Sequence, residues 1–310
     1  MELSIIIVSY NTLDLTIACL DSIANCVNAD AKLAQQLEII VVDNASSDDS
    51  VAAVKNWKKT SHVPLTLLAN TTNVGFARAN NQAMLQAKGT YLLLLNSDTI
   101  VQSDALQQML TAANDVNNES MGIFAASLIN LDGSPQSQGG DLPTLTSLFV
   151  FAFLLDDLPL VGKLLPSHQH TGRRFDPPSD LTLENKGWVA GTAMLIRSTL
   201  VPQIGLLDED IFMYGEDLEY CWRARDAGKD CAIIPTAMVI HLGSKSSSNA
   251  RALEGELISL KYVLAKHLPK WQVPIAHWLL KAAAWNRQVL FKILGNTEKS
   301  SVYRSILHRL

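Results

Sequence analysis

Cysteine is scarce in this chain: four in 310 residues. Cys19, Cys26, Cys221 and Cys231 are too few and too scattered for a disulfide scaffold. No Cys-x-x-Cys pair is present, so a zinc site or a thioredoxin-like motif has no support. Charged residues make up only 18% against 48% apolar, which excludes a disordered or low-complexity chain. Positive charge is short over most of the length. Residues 1–250 hold 15 Lys/Arg against 27 Asp/Glu, whereas residues 251–310 hold 10 against 3. A uniform basic coat for nucleic acid is excluded, and the basic tail is left as a candidate for an anionic surface. No run of 18 uncharged apolar residues occurs, so no spanning helix is expected. The opening Met-Glu-Leu-Ser-Ile lacks the basic region and cleavage site of a secretory signal, and reads as the start of a strand in a cytoplasmic protein.

What is present alternates between two periods. Short apolar runs at 3–8, 37–42, 65–69 and 91–95 predict strands buried on both faces. Between them, Leu13, Ile17, Leu20, Ala24 and Val27 share a helical face, as do Val51, Val54 and Trp57, and Leu106, Leu110 and Ala113, with Ser103 as the expected N-cap of the last. Such alternation predicts an α/β chain with a parallel sheet, whose ligands sit at the carboxyl ends of the strands. Between 130 and 187 the pattern loosens, punctuated by Pro135, Pro143, Pro159, Pro166, Pro177, Pro178, Gly139, Gly140, Gly162 and Gly172. Regular structure resumes with Gly187-Trp188-Val189-Ala190-Gly191, a strand at 193–197, a helix from Glu216 and two β-like stretches at 231–234 and 237–241.

Four successive strand ends are polar: Ser9-Tyr10-Asn11, then Asp43-Asn44-Ala45-Ser46-Ser47-Asp48, then Asn73-Val74-Gly75-Phe76-Ala77-Arg78-Ala79-Asn80-Asn81, then Asn96-Ser97-Asp98. Singly, Asn11 and Asp48 read as helix caps; together the four turns form the rim of a site. An Asp-x-Asp turn aims two oxygen ligands at Mg²⁺ or Mn²⁺. Here Asn96 precedes Asp98, so a cation is held weakly until a ligand diphosphate completes its shell. His241 is either a further ligand or a structural histidine. Glu216-Asp217 opens a helix, where the dipole favours carboxylates; the same position suits a general base that deprotonates an attacking hydroxyl. Arg223 and Arg225 suit phosphate or solvent. Trp188 between glycines offers a platform for a ligand or a piece of core.

These motifs, in this order, resemble those of family 2 inverting glycosyltransferases, and most closely the bacterial rhamnosyltransferase-like subgroup. The resemblance covers residues 3–245. It implies a GT-A fold, the Rossmann-like mixed α/β sheet of nucleotide-diphospho-sugar transferases. On that pattern residues 1–248 form the catalytic domain, with a nucleotide-binding part to about 128 and an acceptor part to 248, and 249–310 a helical extension. It also implies a nucleotide-sugar donor, a Mg²⁺ or Mn²⁺ ion and a glycan or lipid-linked glycan acceptor. Tyr10 and Asp43 would meet the pyrimidine base, with Asp43 accepting from its N3–H, and Asn11 would belong to the donor site. Asn73, Gly75, Arg78, Asn80, Asn96 and Ser97 would line the donor site, Asn96, Asp98 and His241 the metal. Asp217 matches the base, with Glu216 beside it; Trp188, Gly191 and Glu216 fall on the acceptor side. The departure is Asn96, where many members carry Asp, and it implies weaker metal binding.

Rival readings lack their signatures. A dehydrogenase needs Gly-x-Gly-x-x-Gly after the first strand, and a sugar nucleotidyltransferase needs a basic glycine-rich loop; Ser9-Tyr10-Asn11-Thr12 is neither. A binding scaffold that lost turnover through Asn96 stays open. In the tail, Trp271, Ile275, Trp278, Ala282, Trp285 and Val289 form one apolar stripe, with Lys281, Gln288 and Lys292 expected opposite. The stripe suits a membrane interface at the inner face of the cytoplasmic membrane, or packing on the body or on a second subunit in a homodimer.

Overall fold

A computed structural model describes residues 1–156, 158, 165, 182–243 and 249–310. Pro159, Pro166, Pro177, Pro178, Gly162 and Gly172 lie outside the described residues. The strands are β1 (Leu3–Ser9), β2 (Leu37–Asp43), β3 (Leu65–Ala69), β4 (Tyr91–Asn96), β5 (Thr99–Val101), β6 (Met121–Ile129), β7 (Gly139–Gly140), β8 (Glu184–Lys186), β9 (Trp188–Val189), β10 (Ala193–Arg197) and β11 (Asp230–His241). The helices are α1 (Leu13–Ala29), α2 (Ala31–Gln36), α3 (Ser50–Thr60), α4 (Phe76–Met84), α5 (Ala105–Asn114), α6 (Leu145–Ala152), α7 (Val201–Ile204), α8 (Glu216–Asp226), α9 (Asn249–His267), α10 (Val273–Ile293) and α11 (Thr297–Arg309).

The main sheet runs β3-β2-β1-β4-β10-β6-β11-β5, with β8 on β11. β1 to β4 pair in parallel, as their continuous apolar runs require. β10 then enters antiparallel between β4 and β6, so its first residues lie at the end where β4 finishes. β11 runs parallel to β6 and brings His241 to that same end. The two β-like stretches expected near 231–241 are thus one strand, irregular between Ile234 and Met238.

Two apolar cores cover the two faces. Ile5, Ile7, Ile39, Val41, Leu93 and Leu95 face one, packed by α1 and α5; Ile6, Ile40, Leu92, Leu94 and Met194 face the other, packed by α4 and α8. Each fully buried Ile or Leu contributes about 2 kcal/mol. The α1 face is rotated from the expected one: Thr16, Cys19, Leu20, Ile23, Cys26 and Val27 are buried, because small thiols and methyls fit against the sheet as well as larger aliphatics. α5 is preceded by Asp104, not Ser103, and no side chain caps it.

A third core joins α6, α8, α9, α10 and α11, with Leu148, Leu218, Leu260, Leu280 and Ile306 buried. On α10, the side opposite the tryptophans carries Ala276, Leu279, Leu280, Ala283 and Ala284, all buried. Lys281 and Lys292 are exposed together with Trp278 and Trp285. At 100° per residue the lysines fall roughly 60–80° from the tryptophan stripe, flanking it where opposition was expected. No helix among the described residues is long and apolar enough to cross a membrane.

Candidate active site

The strand ends are tied to one another by side chains that answer orphaned backbone groups. Asn11, in the left-handed region at φ 54°, accepts from the Ser47 N–H at 2.7 Å, while its own N–H donates to Ser46 Oγ at 2.9 Å. Asp48 accepts from the N–H groups of Leu13 and Ser50, joining the starts of α1 and α3. Asn44 holds the next loop from both ends of its amide: Nδ2 donates to Asn73 Oδ1 and the Gly75 carbonyl, and Oδ1 accepts from Val74 N–H and Asn70 Nδ2. Gly75 stands at φ 90°, where a Cβ would lie 2.8 Å from the Phe212 carbonyl oxygen, so glycine is required. Asp43 is buried; Oδ2 accepts from Ser46 N–H and Oδ1 has no partner among the described residues.

Two concavities meet at the end of β4. A pocket of about 90 Å³ is lined by Tyr10, Thr12, Asn73, Gly75, Ser97 and Phe212, among others. A larger cavity of about 350 Å³ is lined by Trp188, Gly191, Glu216, Asp217, His241 and Glu256, among others. Asn96, Asp98, Phe76 and Met213 belong to both. Two small turns aim α8 into the larger one: Tyr214 at φ 68° and Gly215 at φ 95° reverse the chain so that Glu216 and Asp217 enter it.

Asp217 accepts from the Gly191 N–H at 2.9 Å through Oδ2 and from the Leu218 N–H at 2.8 Å through Oδ1. Burial pushes its carboxyl up despite those bonds. Burial, with the Asp217 charge beside it, pushes Glu216 up as well, and Glu216 Oε2 has no partner among the described residues. Asp217, with two N–H donors, keeps the charge of the pair, and Glu216 carries the proton. Glu256 on α9, which no motif signalled, is raised to about 7 by burial and by Asp217, with Arg287 opposing. A cavity whose carboxyls are pushed up by burial is suited to receive a proton.

On the cation side, His241 Nδ1 lies 2.9 Å from Gln136 Oε1. An N–H there fixes the tautomer and leaves the Nε2 lone pair directed at Asp98, 3.5 Å from its Oδ1. Asn96 Oδ1 is buried without a partner among the described residues. An amide oxygen, a carboxylate and an imidazole fit a divalent cation whose remaining ligands are phosphate oxygens and water. No three His, Cys, Asp or Glu side chains among the described residues are placed to hold a metal ion by themselves.

Not every expected residue reaches these concavities. Arg78 is half-exposed and paired with Glu209 at 2.8 Å, and Asn80 Nδ2 donates to the Phe76 carbonyl within α4. Arg223 is turned away from the cavity: it donates to both oxygens of buried Glu219 and to the carbonyls of Ile204 and Leu206. A guanidinium so engaged serves the scaffold. Arg225 is exposed and lines neither concavity. Sequence reasoning also missed the partners of Glu219 on α9, Lys266 at 2.7 Å and His267 at 3.2 Å, which clamp α9 to α8.

The family model described as Glycosyl transferase family 2 matches residues 4–158. The low-salt glycan biosynthesis hexosyltransferase Agl10 of Haloferax volcanii is 27% identical over 72% of this chain, which spans 62% of that protein. The N-acetylglucosaminyl-diphospho-decaprenol L-rhamnosyltransferase of Mycobacterium tuberculosis is 24% identical over 80% of each. Among solved structures, the mannosyltransferase PcManGT of Pyrobaculum calidifontis, in complex with GDP-Man and Mn²⁺, superposes with a TM-score of 0.59 at 17% identity, covering 99% of this chain and 83% of that one. This likeness bears out the expected GT-A architecture, with its mixed sheet and C-terminal helices. The polar strand ends, the Asn96–Asp98 turn and Asp217 in the adjoining cavity stand on a chain that belongs to glycosyl transferase family 2.

Proposed function

We propose that this chain transfers a sugar from a nucleoside diphosphate to a hydroxyl of a glycan or lipid-linked glycan, with inversion, on the cytoplasmic side of the cell envelope. The observation that carries the reading is the meeting of two concavities at Asn96 and Asp98, with Asp217 lining the larger one. The smaller pocket, between Tyr10 and Gly75, takes the nucleotide; the larger, beside Trp188, takes the sugar and the acceptor. Asp43 Oδ1 is an unanswered acceptor beside the nucleotide side, suited to a base N–H. L-Rhamnose from a dTDP donor is the leading candidate, supported by the mycobacterial relative; a UDP-sugar is the alternative.

Asp217 takes the proton of the acceptor hydroxyl as that oxygen bonds to the anomeric carbon. The bond from that carbon to the diphosphate oxygen breaks on the opposite face, and its electron pair leaves with the diphosphate. One displacement inverts the centre, so no nucleophilic side chain is required. The Gly191 N–H holds Asp217 in place, and protonated Glu216 adds no second charge to the cavity. Asn96, Asp98 and His241 would hold a Mg²⁺ or Mn²⁺ ion, which supplies positive charge to the departing diphosphate.

The test is binding and slow hydrolysis of a panel of UDP-, dTDP- and GDP-sugars with Mn²⁺, Mg²⁺ or EDTA. One donor should bind only with metal present and be hydrolysed. If no nucleotide sugar binds under any condition, the reading falls and a scaffold without turnover takes its place.

A further inference from the structure

α10 buries its alanine and leucine side and turns its aromatic side outward. Trp278 is 59% exposed and Trp285 55%, and Trp271 just before the helix is 67%. They recur every seven residues, which on an α-helix is one face. Ile275 and Ile293 extend that exposed strip. Beside it, α6 presents Phe149 and Phe153, also exposed; their rings are 4.7 Å apart, and Phe153 reaches Trp278 at 6.5 Å between centroids. The two helices are locked together: Arg287 and Asn286 donate to the carbonyls of Phe151 and Ala152, each at 2.9 Å. Five large aromatics thus stand in solvent on a fixed frame, a contiguous patch of the kind that marks an interaction surface.

Charge decides what covers it. Lys270, Lys281 and Lys292 are exposed around the strip, and residues 270–310 hold seven Lys/Arg against one Asp/Glu. A second copy laid face to face would bring these cations together. A layer of lipid phosphates would neutralise them, while Trp and Phe rings enter the acyl boundary below. We propose that the α6–α10 face docks the protein flat on an anionic phospholipid bilayer. The larger cavity lies one helical layer away, since α9 lines it with Ala252, Glu256 and Leu260 and packs on α10 through the third core. An acceptor carried on a lipid would meet the cavity from that side.

The docking does not depend on the sugar chemistry, so the test uses no donor. The full chain is sedimented with vesicles of phosphatidylcholine alone and with vesicles that also contain phosphatidylglycerol, and tryptophan emission is read with brominated lipids. Sedimentation with the anionic vesicles, weakened by salt and accompanied by quenching, is expected. Trp278→Ser with Trp285→Ser should cut vesicle uptake at least tenfold while the circular dichroism spectrum and Tm stay as in the parent. Lys281→Glu with Lys292→Glu should lower uptake only on the anionic vesicles. A parent that stays in the supernatant with both lipids overturns the proposal. So does a tryptophan double variant that sediments like the parent. A dimer by light scattering that the double variant converts to monomer, without vesicle uptake, assigns the face to a second copy and overturns it too.

Discussion

The Gly191 N–H donates to Asp217 Oδ2 at 2.9 Å, tying the loop that enters β10 to the first turn of α8. The bond fixes one carboxylate oxygen on a rigid backbone, so in the proposed transfer the side chain needs no reorganisation to meet the hydroxyl. Asp217→Asn keeps the shape and loses the basicity. We expect transfer to fall by about 10²–10⁴, with donor affinity by calorimetry unchanged. Retained turnover would remove Asp217 from the role of base.

Glu216 makes stability depend on pH in a defined direction. Its carboxyl rises from an ordinary 4.5 to about 8, through burial first and the Asp217 charge second. Between those values the folded chain holds a proton that the unfolded chain has released, so stability falls as pH rises through that window. Glu216→Gln should flatten the decline of Tm across it. An unchanged slope would show that the proton resides elsewhere.

Glu219 acts with the opposite sign. Burial alone would raise its carboxyl, but hydrogen bonds from His267, Arg223 and Lys266 outweigh burial and bring it to about 2. Its stabilisation is complete above pH 4.5 and disappears as pH falls through about 2. Glu219→Gln leaves the Arg223 guanidinium without its carboxylate, while Lys266 keeps Asp208 at 2.6 Å, and should cost about 3 kcal/mol in urea unfolding. A loss below 1 kcal/mol would mean that the α8–α9 clamp contributes little.

The Asn96 turn makes a prediction about the cation that needs no turnover. With one formal charge between Asn96 and Asp98, the nucleotide-free chain should bind Mn²⁺ poorly. Asn96→Asp should tighten binding at least tenfold by electron paramagnetic resonance titration, and His241→Ala should weaken it. No response to either substitution would move the cation away from β4.

Much of this was legible because buried parallel strands advertise themselves as apolar runs: 65–69 and 193–197 are the ranges of β3 and β10. Polar strand ends then mark the rim, and Asn96, Asp98, Trp188, Gly191, Asp217 and His241 do gather round one cavity. Glu256 was not legible, since a lone glutamate on a helix has no periodic signature and only the docking of α9 brings it there. Arg223 misled for a related reason. Its buried partner Glu219 lies four residues back, a spacing that on an exposed helix signifies a weak surface pair. The sugar stays unnamed because hydroxyl recognition depends on side-chain positions that no local pattern encodes.

The wall that α9 gives to the larger cavity has a consequence for how such a protein diversifies. The smaller pocket is assembled from residues 8–98 with Phe212 and Met213, whereas Ala252, Glu256 and Leu260 reach the larger one from the tail. Change after β11 therefore acts first on the larger chamber. If that chamber takes the acceptor, as proposed, a chimaera carrying another member's tail should trade one acceptor for another while the donor stays the same.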